Sequence, residues 1–124
     1  MVSGLGTDLA EVERIGWQID KGSGFRELVF SEREIAYCES KKNKHEHYAA
    51  RFAAKEAFFK ALGTGWMDGT QFNEIEIIND ESGKPEVMLS GQTKIILAAW
   101  GISKILVSLS HIKDIASAVV IIEK

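Results

Sequence analysis

The chain has 124 residues with 45% hydrophobic and 27% charged side chains, the length of one domain (1–124) and the balance of a globular protein that needs no disulfide or metal staple to fold. Fifteen Lys and Arg against 18 Asp and Glu give a net charge of −3, which argues against a general nucleic-acid binder, and the single Cys38 leaves no pair for a disulfide, a zinc knuckle or a CxxC redox site. The longest apolar run, residues 115–122, is far too short to cross a membrane, and residues 1–8 carry no basic n-region, so no signal peptide, no membrane association and a cytoplasmic location are expected.

In chain order, residues 2–7 read as a short strand ending in a turn. Asp8 with Glu11 three residues on reads as a capped helix start, and Leu9, Val12, Gly16 and Ile19 continue one helical face until Gly22-Ser23-Gly24. Ser31-Glu32-Arg33-Glu34 opens a second, shorter helix. The run from about 44 to 62, rich in Ala, Phe, Lys and Glu, predicts a long third helix stopped by Gly63. Residues 74–78 and 86–89 alternate like strands around the turn cluster Asn79-Asp80-Glu81-Ser82-Gly83, which predicts a hairpin. A helix over 91–100 and two final strands, 105–109 and 116–122, complete an α+β chain with a long central helix packed on a largely antiparallel sheet.

On the long helix, Phe52 and Phe59 lie within about 20° of each other and Glu56 projects between them. A carboxylate in an aromatic stripe is costly to bury unless a positive charge meets it, and Lys60 one turn on can supply part of one. The plainer reading is a surface Glu56–Lys60 pair. Asp8 is either a helix cap or, with Glu56, half of a hard-cation site, because Mg²⁺ accepts one or two carboxylates and fills its other positions with water and phosphate oxygens. Gly63-Thr64-Gly65 and the basic turn Gly83-Lys84-Pro85 offer backbone N–H groups to an anion, or serve as a helix C-cap and a hairpin turn. His45 and His47 diverge on a helix and read as solvated. His111 is open between a phosphate contact and a plain loop. Cys38 reads as an unreactive thiol, and Trp17, Trp66 and Trp100 as packing residues.

Taken together these residues resemble a known family. Gly4-Leu5-Gly6-Thr7-Asp8 with Glu11 and Arg14 is similar to the N-terminal motif of the holo-acyl-carrier-protein synthases, the small bacterial 4'-phosphopantetheinyl transferases. The run from Arg51 through Phe52-Ala53-Ala54-Lys55-Glu56-Ala57-Phe58-Phe59-Lys60-Ala61-Leu62 to Gly63-Thr64-Gly65 resembles their second signature. Phe72-Asn73, Gly83-Lys84-Pro85 and Val107-Ser108-Leu109-Ser110-His111 follow in the family's order.

The resemblance implies transfer of the 4'-phosphopantetheine arm from coenzyme A to a serine of apo acyl carrier protein in fatty acid biosynthesis, releasing adenosine 3',5'-bisphosphate. It also implies a homotrimer with active sites between subunits. Asp8 and Glu56 would hold Mg²⁺, Lys60 would share charge at the attacked phosphorus, and Glu56 or a metal-bound water would take the serine proton. Arg51, Lys55, Lys60, Gly63, Thr64 and Gly65 would approach the coenzyme A phosphates, and Gly83, Lys84, Pro85, Ser110 and His111 its 3'-phosphate and adenine. The first helix would dock the carrier through Arg14, with Lys21 and Arg26 nearby. Family members often place several basic residues there, whereas this chain has Asp20, Gly22 and Gly24 around Lys21. The alternative of another class is a coenzyme A or nucleotide-binding module without catalysis. Residues 40–60 carry six basic against two acidic side chains, so a net-acidic chain still offers one positive segment to a polyanionic coenzyme.

Overall fold

A computed structural model describes residues 1–124. Strand β1 (Val2–Glu11) leads into helix α1 (Val12–Asp20), followed by the short helices α2 (Phe25–Val29) and α3 (Glu32–Glu39) and the long helix α4 (Lys44–Leu62). The hairpin β2 (Ile75–Asn79) and β3 (Pro85–Leu89), helix α5 (Gly91–Leu97), and strands β4 (Lys104–His111) and β5 (Ile115–Glu123) complete the chain. The strands form two antiparallel sheets, β1-β5-β4 and β2-β3, which is the α+β architecture expected.

Where local chemistry is strong, the elements begin and end as the sequence predicts. Ser31 and Glu34 form a reciprocal capping box at α3. Gly63 closes α4 at φ 83°, its N–H donating to the carbonyls of Phe59 and Lys60, a conformation that a side chain would strain.

Asp8 differs from its expected role as a cap. The strand does not stop at residue 7 but runs to Glu11, because residues 8–11 find ladder partners in residues 115–118. Helix α1 starts only at Val12, whose N–H is met by the Asp114 carbonyl at 2.9 Å, and Glu11 stands at its N-cap without a side-chain capping bond. Long-range pairing has overridden a local capping preference. Helix α2 had no periodic signal in a five-residue span.

Alternation on β1 turns Gly4, Gly6, Asp8 and Ala10 toward α4 and Ser3, Leu5, Thr7 and Leu9 outward. On β5, Ala116, Ala118, Val120 and Ile122 are buried. Helix α4 packs on both strands, and its buried alanines, Ala49, Ala50, Ala53, Ala54, Ala57 and Ala61, keep the approach close. A Cβ on Gly4 would lie 2.0 Å from the Ala61 carbonyl oxygen, and one on Gly6 would lie 2.0 Å from that of Ala57. Helix backbone therefore rests directly on strand backbone at two successive points, and only glycine fits at either.

A helix buried on so many sides must deal with its charges. Lys55 is fully buried, and its ammonium donates to Glu34 at 2.7 Å, to the Phe72 carbonyl at 2.8 Å and to the Ile75 carbonyl at 2.6 Å. All three of its donors are thereby used. Glu34 in turn accepts from the backbone N–H groups of Ser31 and Ile77, each at 3.0 Å. This internal tie joins α3, α4 and the start of β2. Lys55, expected to approach phosphates, has no donor left for one.

Candidate active site

The site grows out of the seam between β1 and α4. Two residues of strand rise about 6.6 Å and four residues of helix about 6 Å, so moving from Gly4 to Gly6 matches moving back from Ala61 to Ala57. The next inward position on the strand is Asp8, which this spacing delivers to the flank of α4. Its carboxylate accepts from the Lys60 ammonium at 2.9 Å, and the pair raises Lys60 above its ordinary value. Glu56 is half-buried on the same flank, and its carboxyl is pushed up, first by burial and next by the Asp8 charge, with Lys60 opposing. A carboxylate held against both desolvation and a like charge is relieved by a divalent cation. No third His, Cys, Asp or Glu joins the pair as a metal-holding group. Two hard oxygen donors and an open remainder suit Mg²⁺ among waters and phosphate oxygens.

Glu56 lines a concavity of about 400 Å³ with Phe52 and Phe25 on one side and Arg14, Ile15 and Gln18 of α1 on the other. Of the aromatic pair read from the sequence, Phe52 lines the concavity with Phe25 6.1 Å away, whereas Phe59 is buried against Phe58 and Phe72 and does not line it. Arg14 is exposed at the rim, 4.0 Å from Glu11. Lys21 does not face this concavity but stands over the Trp17 ring at 4.2 Å, and Arg26 is engaged by Glu27 at 2.8 Å and Glu39 at 3.5 Å. Trp17 and Trp66, expected in packing, are mainly exposed.

A second cavity of about 400 Å³ opens on another side of α4, between α3, the β2–β3 turn and β4. It brings together Arg51, Gly83, Lys84, Pro85 and His111, five of the residues singled out in the sequence. No acidic side chain lines it. Arg51 is only 2% exposed, has no carboxylate partner, and leaves Nε unbonded while one terminal nitrogen donates to Asn79. Its guanidinium lies 4.1 Å from the centre of the Tyr37 ring. A buried cation without a counter-charge, beside a lysine and a histidine, is the description of an anion site.

Several expected residues fall elsewhere. Ser110 does not line this cavity, whereas Ser108, two residues earlier on β4, does. Thr64 and Gly65 lie exposed beyond the end of α4, past Lys60, and line neither cavity. His45 is bonded to Asp20 at 3.0 Å. His47, read as solvated, lines the anion cavity, as do Asn79 and Tyr37, which carried no sequence signal for such a role. Their membership depends on how α3 and the hairpin meet α4. Cys38 is buried and burial pushes its thiol up to about 12, in line with an unreactive role.

Residues 4–119 match the family model described as the 4'-phosphopantetheinyl transferase superfamily. The chain is 48% identical to the holo-[acyl-carrier-protein] synthase of Cytophaga hutchinsonii, over 100% of this chain and 99% of that one. Among solved structures, the holo-[acyl-carrier-protein] synthase of Neisseria meningitidis superposes with a TM-score of 0.90 at 35% identity, covering 100% of both chains. The Bacillus anthracis holo-(acyl-carrier-protein) synthase, in complex with CoA (3',5'-ADP), does so with a TM-score of 0.82 at 36% identity, covering 100% of this chain and 98% of that one.

Proposed function

Because the chain belongs to the 4'-phosphopantetheinyl transferase superfamily, we propose that it transfers the 4'-phosphopantetheine group of coenzyme A to a serine of apo acyl carrier protein, serving fatty acid biosynthesis. The observation that carries this reading is the pair of carboxylates, Asp8 and Glu56, set with Lys60 beside an α1-walled concavity, together with an acid-free cationic pocket on the same helix. A phosphoryl transfer needs the first to manage charge at the reacting phosphorus and the second to hold a polyphosphate.

In the reaction, the carrier's serine oxygen forms a bond to the phosphorus nearer the pantetheine. The bond from that phosphorus to the bridging oxygen breaks, and adenosine 3',5'-bisphosphate leaves with the bonding electrons. The serine proton goes to a base, for which Glu56 and a water of the bound metal are the two candidates at this concavity. Asp8 and Glu56 would hold Mg²⁺, which when bound supplies charge neutralisation at the pyrophosphate. Lys60 adds a fixed positive charge next to Asp8. Arg51, Lys84 and His111 would bind the nucleotide end. Arg14, at the rim of the Glu56 concavity, would meet the acidic carrier, with Lys21 as a secondary contact.

Arg51 and Glu56 are about 140° apart around the helix axis. One coenzyme molecule bridging the two cavities of a single chain would have to wrap around α4. A site made from the cationic pocket of one subunit and the carboxylates of its neighbour avoids that path, which supports shared sites, as in the homotrimer that the resemblance implies. No helix is long and apolar enough to cross a membrane.

The test is to incubate the protein with coenzyme A and apo acyl carrier protein, with and without Mg²⁺, and to weigh the carrier. A mass gain of one phosphopantetheine arm, dependent on Mg²⁺, is expected. Coenzyme A binding with no mass gain on any bacterial carrier would overturn the transferase reading in favour of a binding module.

A further inference from the structure

The cationic cavity contains a group that neither the motif nor the reaction accounts for. His47 sits on α4 one turn before Arg51, with its ring edge-to-face to His111 at 5.0 Å between centres and to Tyr37 at 5.7 Å. Three aromatic rings thus form a continuous wall, with the Arg51 guanidinium stacked on the Tyr37 end. His111 is already committed, its Nδ1 lying 2.9 Å from a Glu46 carboxylate oxygen. His47 has no such partner, and both of its ring nitrogens are without a protein hydrogen bond.

We propose that His47 is a further substrate-binding residue of this cavity, which takes up a proton as the 3'-phosphate of coenzyme A enters. The inference rests on the coenzyme A reading above and adds to it the residue that reads the terminal phosphate. The groups facing His47 are Tyr37 from α3, Lys41 from the turn after it, Glu46 and Arg51 from α4, Lys84 from the hairpin turn and His111 from β4. Glu46 is the one acid among them, and it is engaged by His111. Burial first, and then His111, Arg51 and Lys41, hold His47 below its ordinary value, so the ring is neutral in the empty pocket at neutral pH. A phosphate monoester reverses the sign of the local field. The imidazolium then becomes the favoured form and its N–H donates to the phosphate. Arg51 supplies permanent charge, whereas His47 supplies charge only when the anion is present. The empty pocket is thereby spared one further buried cation.

Coenzyme A and dephospho-coenzyme A differ only in this phosphate and are the probes. Calorimetry in buffers of different ionisation heat should show proton uptake with coenzyme A and much less with dephospho-coenzyme A. The phosphate monoester itself titrates near pH ~6, so the assignment comes from comparing wild type with H47Q. The variant should lose on the order of tenfold in coenzyme A affinity at pH 6.5, little at pH 8.5, and nothing toward dephospho-coenzyme A. In the wild-type protein, the NMR titration midpoint of the His47 ring should rise when coenzyme A is added. This second measurement stands even if H47Q folds poorly. Equal proton uptake in H47Q, an equal loss toward both probes, or an unmoved His47 midpoint would each overturn the proposal. Wild type that binds neither probe would overturn the coenzyme A reading as well, whereas tight binding with a silent His47 would overturn this inference alone.

Discussion

Glu56 and Lys55 are neighbours in sequence and opposite in kind. Glu56 faces a concavity with its carboxyl raised, which means that its charged form is disfavoured in the folded protein. A carboxyl raised above its unfolded value costs stability once the pH exceeds the folded value, and the cost vanishes as the pH falls below the unfolded one. E56Q without metal is therefore expected to melt above wild type at pH 7, with the gap closing toward pH 4, as followed by thermal denaturation. The same substitution should cost about 10²–10³-fold in turnover in the carrier assay, the scale of losing one directly acting charged group. Lys55 gives the reverse pattern. Its ammonium closes a fully buried ion pair with Glu34, so K55A leaves an unpaired buried carboxylate and should destabilise by about 3–5 kcal/mol in urea unfolding. Any loss of activity in K55A should track the folded fraction, because no part of Lys55 reaches either cavity.

Among the elements, the contact between β1 and α4 governs the rest. A methyl group at Gly6 would meet the Ala57 carbonyl oxygen, and a backbone oxygen has no rotamer by which to yield. G6A should therefore cost at least about 3 kcal/mol and, in whatever fraction stays folded, pull Asp8 from Lys60 and Glu56, visible as weakened Mg²⁺ binding. The sequence made α4 legible because its ends carry their own chemistry and its interior has no breaker. It also made Phe52 beside Glu56 legible, since a helical face follows from spacing alone, but not Phe25, which comes from another helix. Asp8 was less legible: an acid after a short strand is a good cap, and only the partner strand more than a hundred residues away shows that the strand continues. Lys55 was misread for a related reason, as a lysine in a basic segment looks like a phosphate ligand until α3 brings Glu34 beneath it. His47, Tyr37 and Asn79 come from three different elements, and no spacing along the chain could have joined them.

For the whole molecule, the two cavities on opposed sides of one helix make a shared site the economical arrangement. If sites form between subunits, two inactive variants should rescue each other. Mixing R51A with E56Q after subunit exchange should restore about a quarter of wild-type activity, because a site is intact only when each neighbour supplies its unaltered half. Lack of rescue after proven exchange would place both halves in one chain. The strand-on-helix seam has a consequence for how such a protein can vary. Steps of two residues on β1 and four on α4 engage like the teeth of a rack, and the carboxylate pair is registered by main chain instead of by side-chain packing. Core side chains away from the glycine and alanine seam can be exchanged without shifting the pair. Inserting or deleting a single residue ahead of Asp8 would turn that carboxylate to the outer face and carry Leu9 or Thr7 inward, so the outward positions of this segment tolerate changes of letter while no position tolerates a change of length.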